Sequence, residues 1–180
     1  GTHGTKIQNY TSDPANPLTG EVWYNSTSNS LKYFYVNPGS WATGGDLNTA
    51  RRNMAGAGIQ TSALSIGGGD PTVATEKYNG TSWTEVNDLN TARSYLAGAG
   101  ATNTAALAFG GYVGPPGATA VTELWNGTNW TEVNDLGTAR LRLAGAGIQT
   151  AALAFGGSPP PSSTALTETW NGTNWTEVND

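Results

Sequence analysis

Residues 126–135 have the sequence NGTNWTEVND, and the same ten residues occur again at 171–180. A near copy, NGTSWTEVND, lies at 79–88. Self-similarity at a fixed spacing is the sequence signature of repeat architectures, in which each repeat is a small unit that needs its neighbours to bury its apolar face. The repeat therefore decides which folds the chain can adopt.

The repeat extends upstream of these ten residues and defines three units, at 47–88, 89–135 and 136–180. Each unit reads L-x-T-A-R, then A-G-A-G, then a small-residue run ending in Gly-Gly, then T-E and finally the Trp-containing segment. The main differences in length follow the Gly-Gly pair, at 69–75, 112–122 and 158–167. Because loops tolerate insertions and packed strands do not, these segments are predicted to be loops.

Each unit predicts four short strands, named A to D in chain order. Strand A is A-G-A-G, strand B is A-L-S-I or A-L-A-F, strand C starts with T-E and ends on Tyr or Trp, and strand D is W-T-E-V. Gly, Thr and Asn recur every few residues and no apolar stripe at helical spacing survives, so helices are a poor fit. Asn-Gly between strands C and D, as at 126–127, predicts a type I′ hairpin turn. The predicted fold class is all-β.

The glycine-rich strand A indicates how the units pack. Glycine weakens a strand unless another backbone must approach it closely. The innermost strands of a β-propeller meet that condition, because they converge on a central channel. The aromatic residues of strands C and D fall at equal places in every unit, and we expect them to pack between neighbouring blades. They are Tyr78, Trp83, Trp125, Trp130, Trp170 and Trp175.

With these residues laid out, the units at 47–180 resemble kelch repeats, the four-stranded blades of one class of β-propeller. The resemblance rests on the Gly-Gly pair that closes strand B, on the aromatic residue of strand C and on the later Trp. It implies a kelch-like β-propeller of four-stranded antiparallel blades, with three full repeats in this chain.

The first 46 residues differ from the repeats. Residues 1–20 are predicted to form an N-terminal arm and 21–46 an incomplete blade, because Trp41 precedes Asp46 by the same step that separates Trp83 from Asp88. Within this segment, 21–25 and 31–36 predict a hairpin around S-T-S-N-S.

The stretch NPLTGEVWYNSTSNSLKYFYVNPGSW, at 16–41, resembles a segment common in phage tail-fibre and related virion proteins. The resemblance implies a virion, an extracellular particle, as the location. The alternative locations are the bacterial cell surface and the secreted fraction.

Three blades are too few for a closed propeller, for which about four are the usual minimum. One interpretation is that further blades continue the natural chain, and another is that residues 7–11 complete a four-bladed ring. An open array exposes strand edges and apolar blade faces, so an oligomer that joins them is a third alternative. The expected partners are other virion proteins or further copies of the chain itself.

The B–C loops and the D–A links of a four-stranded meander share one face, and the large length differences fall on that face. Loops on a rigid scaffold commonly carry binding, so this face is the candidate binding surface. The competing interpretation is neutral variation in loop length. The candidate binding residues are Asp70, Pro71, Tyr112, Val113, Pro115, Pro116, Pro159, Pro160 and Pro161.

One arginine recurs in every D–A link, at Arg51, Arg93 and Arg140. A structural role is predicted first, either through pairing with Asp46, Asp88 and Asp135 or through capping of carbonyls in a neighbouring blade. The alternative is a cationic ring that meets an acidic glycan or a carboxylate.

Catalysis is not expected. The single His, His3, lies near the terminus, and no His–carboxylate set is available to activate Ser or Thr. The Glu pairs of strands C and D recur in all three units, whereas a catalytic carboxylate pair would occur once across a cleft. Their triplication predicts solvated outer-strand positions, at Glu76, Glu85, Glu123, Glu132, Glu168 and Glu177. The chain has no Cys, and we expect neither a metal nor a cofactor.

Charge and hydropathy restrict the partners further. The net charge is −5 with scattered Lys and Arg, which argues against nucleic acid, and no apolar run approaches the roughly 18 residues of a membrane helix. Two functions remain. The first is a non-enzymatic virion protein, a tail fibre or surface appendage whose propeller scaffold serves assembly. The second is a module that recognises a host receptor or glycan through the B–C loops.

Overall fold

A computed structural model of the chain describes residues 7–34, 41–115 and 117–178. These residues form fifteen β-strands and no helix, so that part of the chain offers no helical membrane span. The chain divides into two compact units, Gly1–Thr43 and Gly44–Asp180. The all-β prediction is confirmed. His3, Pro116 and the last two residues of the predicted strand 31–36 lie outside the described residues.

The first unit contains a three-stranded sheet of β1 (Gln8–Tyr10), β2 (Val22–Asn25) and β3 (Ser30–Tyr33). Strands β2 and β3 are antiparallel and form the predicted hairpin. The side-chain oxygen of Asn25 accepts hydrogen bonds of 3.0 Å from the backbone N–H groups of Thr27 and Ser28, which holds the turn.

Strand β1 of this sheet differs from the antiparallel strand A that a blade would have. Strand β1 lies parallel to β2, so residues 7–11 do not supply an antiparallel strand A. Residues 41–46, expected to carry the last strand of an incomplete blade, form no strand. Asp13 fixes β2 instead, because its carboxylate accepts from Asn25 and Trp23, at 2.8 and 3.0 Å, and these hydrogen bonds lower the pKa of Asp13.

The second unit consists of three four-stranded antiparallel sheets, one for each sequence repeat, in a propeller-like series. Blade 1 contains β4 (Ala55–Ile59), β5 (Ser62–Ile66), β6 (Thr75–Tyr78) and β7 (Trp83–Val86). Blade 2 contains β8 (Ala97–Thr102), β9 (Ala105–Phe109), β10 (Thr122–Trp125) and β11 (Trp130–Val133). Blade 3 contains β12 (Ala144–Ile148), β13 (Ala151–Phe155), β14 (Thr167–Trp170) and β15 (Trp175–Val178). Each sheet keeps the chain order, so strands A to D are confirmed.

The glycine-rich A strands bring the blades together. Strand β8 lies between β4 and β12 and packs against both. A Cβ atom placed on Gly98 would lie 2.9 Å from the carbonyl oxygen of Gly56 in blade 1. One placed on Gly145 would lie 2.7 Å from the carbonyl oxygen of Gly98 in blade 2. These glycines are therefore required for close backbone contact, as the sequence predicted.

Two apolar cores lie between the three blades. The first joins Leu64 and Ile66 of blade 1 to Trp125 and Trp130 of blade 2. The second joins Leu107 and Phe109 of blade 2 to Trp170 and Trp175 of blade 3. In each case strand B of one blade meets the aromatic pair of the next, so no single blade buries its own apolar residues.

The turns between strands C and D are not type I′ turns, contrary to the prediction. Only the glycine has positive φ, as at Gly127 with φ 95°, and four residues separate the paired Trp125 and Trp130. The Asn126 side chain accepts hydrogen bonds from the backbone N–H groups of Thr128 and Asn129, at 2.9 and 2.8 Å. The asparagine thus acts through its side chain, which leaves its backbone outside the left-handed region.

The second glycine of each Gly-Gly pair has two reasons to be glycine. Gly111 has φ 113°, and a Cβ atom there would lie 2.8 Å from the carbonyl oxygen of Ser94. Gly114, in the following loop, has φ 98° but no atom within 4 Å of that position.

We expect Gly111→Ala to lower the free energy of unfolding by about 3 kcal/mol, through backbone strain and the clash together. Gly114→Ala should cost only the strain, about 1–2 kcal/mol. Urea unfolding of the two variants checks this difference, and equal losses would show that the close approach contributes nothing.

Candidate binding site

The B–C loops and the D–A links pack together on one face, as the meander predicted. In blade 1 the loop carbonyls of Thr72 and Val73 accept hydrogen bonds from Arg93 and Leu89 of the link that follows. The carbonyls of Thr119 and Ala120 do the same for the next link. Each link therefore joins the loop of one blade to strand A of the next, and this face is a continuous framework.

The repeated arginines hold this framework from inside. The guanidinium group of Arg93 donates to the carbonyl oxygens of Gly110 and Val121, at 3.1 and 2.7 Å, and to the carboxylate of Glu123 at 2.9 Å. Arg51 with Glu76 and Arg140 with Glu168 repeat the arrangement at 2.7 and 2.8 Å. The carbonyls lie where strand B ends and strand C begins.

These contacts differ from the predicted ones in two respects. The carboxylate partner is the glutamate of strand C in the same blade, and the capped carbonyls also belong to that blade. Asp135 instead accepts from the backbone N–H of Thr122, at 3.0 Å. Arg93 and Arg140 are fully buried, so their charges face glutamate and not a ligand at the surface, and the cationic ring is not exposed.

The strand C glutamates are buried and not solvated as predicted, whereas those of strand D are exposed. The second carboxylate oxygen of each buried glutamate accepts from a link backbone N–H, at 2.7 Å from Asn48, 2.7 Å from Asn90 and 2.6 Å from Gly137. Every carboxylate thus binds both ends of one link, the backbone near its start and the arginine at its end. Burial lowers the pKa of Arg93, and the charge of Glu123 opposes that shift.

We expect Glu123→Gln to lower the free energy of unfolding by about 3–5 kcal/mol, because Arg93 would keep a buried charge without its counter-ion. Glu132→Gln, the same change on the exposed strand D, should cost within about 0.5 kcal/mol. Chemical denaturation of both variants measures the difference, and a small loss for Glu123→Gln would contradict the structural role of the pair.

The blade 1 pair also gives a pH prediction. Burial raises the pKa of Glu76, but hydrogen bonds from the backbone and side chain of Asn48 and the charge of Arg51 outweigh it, so the pKa lies below the ordinary 4.5. A carboxyl with a lowered folded pKa contributes stability above its unfolded pKa and loses it as pH falls. The stability difference between the native protein and Glu76→Gln should therefore stay constant from pH 6 down to near the unfolded pKa of 4.5, and shrink as the pH falls further toward the folded pKa. Urea denaturation at pH values on both sides of 4.5 tests this, and a difference that stays constant below 4.5 would contradict it.

A pocket opens on the B–C face at the junction of blades 2 and 3. Its volume is about 330 Å³, within the range of small-molecule sites. The two loops that contribute to it come close, since a Cβ atom on Gly117 would lie 3.8 Å from Pro160. The lining residues are Tyr95, Tyr112, Leu141, Arg142, Ser158, Pro160 and Pro161.

A cation–aromatic pair forms one wall of this pocket. The guanidinium carbon of Arg142 lies 4.8 Å from the centre of the Tyr95 ring, within the distance at which a cation is attracted to an aromatic face. Arg142 is exposed, and no ion pair among the described residues involves it. The wall therefore offers a ligand both a flat apolar surface and a positive charge.

The backbone holds Tyr95 and Arg142 in an uncommon conformation. Both have positive φ, 53° and 57°, as does Asn53 at the same position of blade 1. The N–H of Tyr95 donates to the carbonyl of Asn53, and that of Arg142 to the carbonyl of Tyr95, each at 2.8 Å. The repeat thus fixes the backbone at this position and lets the side chain vary between junctions.

The structure brings together three of the predicted binding residues, Tyr112, Pro160 and Pro161, in this pocket. Two others lie on blade 1, where Asp70 forms an exposed ion pair with Arg52 at 2.6 Å and Pro71 is half-buried. The remaining described candidates, Val113, Pro115 and Pro159, belong to the same loops but do not line the pocket.

The sequence analysis missed the link residues Tyr95, Leu141 and Arg142. A signal was available, because the two positions after each repeated arginine differ in every unit, whereas the arginine before them and the A-G-A-G strand after them repeat. These positions carry Arg52 and Asn53, Ser94 and Tyr95, and Leu141 and Arg142. No three His, Asp or Glu side chains in the described part of the chain are placed to hold a metal ion. Comparison of the chain with protein-family models and with curated proteins finds no match.

Proposed function

We propose that this chain is a non-enzymatic phage virion protein, from a tail fibre or surface appendage, with a kelch-like propeller scaffold that binds a host-surface glycan on its B–C face. The virion context is supported by the N-terminal stretch that resembles tail-fibre proteins. The binding role is supported by the pocket at the junction of blades 2 and 3. The alternative locations are the bacterial surface and the secreted fraction.

The observation that carries the binding role is the convergence of variable side chains on one rigid pocket. Its lining comes from two loops of different length and from two links whose backbones are fixed by hydrogen bonds between blades. The repeated residues, in contrast, are used for packing and for buried ion pairs. The side chains that line the pocket can therefore be replaced without loss of the packing that holds the blades together.

The lining favours a saccharide that carries a carboxylate. Tyrosine rings stack on the apolar faces of sugars, and an exposed guanidinium pairs with a carboxylate in a planar, two-point geometry. The volume accommodates one or two sugar rings. The strand C glutamate of each recurring pair is occupied by an arginine, which supports a binding role and not glycoside hydrolysis.

Titration of the protein with a panel of acidic and neutral oligosaccharides tests the proposal. We expect binding of at least one acidic member and a roughly tenfold or greater loss of affinity in Arg142→Ala and in Tyr112→Ala. Arg52→Ala is the matched control, because Arg52 lies in the corresponding link of blade 1 outside the pocket, and it should bind as the native protein does. Equal losses in all three variants, or no binding by the native protein, would contradict the glycan role.

A second candidate function is assembly with other virion proteins, without recognition of a host. The observation that favours it is the pair of open blade faces on the second unit, where Leu153 and Phe155 are 40% exposed. Replacement of loops 112–118 and 158–163 separates the two functions. Loss of host-cell binding supports recognition, whereas stable docking to a tail or capsid protein with no host binding supports assembly.

A further inference from the structure

The first and last blades each present an unfinished version of an interface that the chain forms twice. Leu107 and Phe109 of blade 2 are fully buried by blade 3, but their counterparts Leu153 and Phe155 in blade 3 are each 40% exposed. The four side chains belong to the same sequence, A-A-L-A-F. The difference therefore comes from position in the array and not from residue type.

Blade 1 shows the complementary deficiency. Its aromatic pair, Tyr78 and Trp83, is only half-buried and lines an open cavity of about 480 Å³ beside Gly56 and Gln60. The corresponding Trp125 and Trp130 of blade 2 are buried against blade 1. Within the described part of the second unit, no other blade packs against this side of blade 1. Only the link reaches its edge, where a Cβ atom on Gly44 would lie 3.3 Å from the Tyr78 hydroxyl.

Gly56 is the most informative residue on this free side. At the equivalent Gly98 and Gly145, a Cβ atom would meet a carbonyl oxygen of the preceding blade at 2.9 and 2.7 Å. A Cβ atom on Gly56 would have the Leu64 carbonyl oxygen of its own blade as nearest neighbour among the described residues, at 3.9 Å. The φ of Gly56 is not in the left-handed region. Nothing in the part of the chain that the structure describes requires glycine there, but a docked blade would.

The hydrogen bonds between blades specify what the missing neighbour must offer. The Trp130 indole N–H donates to the Thr75 hydroxyl at 3.1 Å, and that of Trp175 donates to Thr122 at 3.0 Å. Asn103 donates to the carbonyl of Tyr78 in blade 1, and Gln149 to that of Trp125 in blade 2.

The free faces of blades 1 and 3 carry the groups that would form the same two kinds of hydrogen bond once more. Blade 3 has the acceptors, in the Thr167 hydroxyl and the Trp170 carbonyl. Blade 1 has the donors, in Trp83 and Gln60. Both halves of the missing interface are therefore present on one chain, at opposite ends of the array.

We propose that the 180-residue chain forms a head-to-tail dimer in which blade 1 of each copy docks on blade 3 of the other. Two copies give a ring of six blades, within the usual range of about four to eight, whereas one copy gives three and three copies would give nine. The ring has two identical interfaces related by a twofold axis, and each repeats the contact already formed inside the chain.

Sedimentation equilibrium or light scattering of the 180-residue protein provides the first test. The expected mass is twice that of the 18.6 kDa chain. A folded monomer, or a series of larger multiples, would overturn the proposal, since the first shows no docking and the second shows an array that does not close.

Two variants test the faces separately. Gly56→Val places a side chain where the monomer has space, so it should fold normally and weaken dimerisation at least about 100-fold. Phe155→Arg should do the same from the blade 3 side. Thr84→Val is the matched control for Gly56→Val, because its counterpart Thr131 is exposed even in the fully flanked blade 2, and it should remain dimeric.

Mixing the two monomeric variants distinguishes the head-to-tail arrangement from other dimers. Gly56→Val keeps an intact blade 3 face and Phe155→Arg keeps an intact blade 1 face, so together they should recover a dimer through one native interface. In a back-to-back dimer, at least one of the two variants would stay dimeric alone. That result would overturn the proposal, as would a mixture that stays monomeric.

Discussion

The second unit depends on the burial of apolar side chains between blades. A four-stranded sheet has two faces and cannot cover either by itself, so strand B of one blade and the aromatic pair of the next form a shared core. That core forms only because the innermost strands approach to backbone contact, which requires glycine on the side that faces the preceding blade. The Ala-Gly-Ala-Gly strands are therefore thin for the same reason that the outer strands carry tryptophan: the blades are close at the axis and further apart outside.

The buried Arg–Glu pairs have a different role: they provide hydrogen-bond partners for backbone carbonyl groups at the ends of strands B and C. The Gly-Gly pair turns the chain out of strand B, and two carbonyl groups at this turn point to the arginine. One of them, that of Val121, also accepts from the backbone N–H of Gly110 at 3.0 Å. The arginine supplies several donors in a planar fork, and the glutamate neutralises it and also fixes the start of the link that carries it. The cost of burying two charges is offset because nearly every donor and acceptor has a partner, although the Nε atoms of the three arginines have none among the described residues.

Strand positions could be predicted from the sequence because they depend on local chemistry that the repeat shows three times. The glutamates were misjudged because a triplicated charge looks the same whether it is solvated or paired, and its arginine lies about 25 to 30 residues away in sequence. The C–D turn was misjudged because asparagine has two ways to hold a turn, and here its side chain acts and not its backbone. The pocket was found only in part, since Tyr112 lies in a loop of unusual length, whereas Tyr95 and Arg142 lie in links of constant length.

The same architecture explains why binding and assembly can coexist in one small chain. The faces that join blades use residues that repeat, and the pocket uses residues that do not, so either set can change without disturbing the other. In the proposed ring each chain would contribute one pocket, and the twofold axis would place both pockets on the same kind of face. Two linked sites bind a surface crowded with identical saccharides more tightly than one site does, because the second binding event becomes intramolecular. Two pockets of about 330 Å³ each would then attach the ring to a host surface even when a single site binds its saccharide with modest affinity.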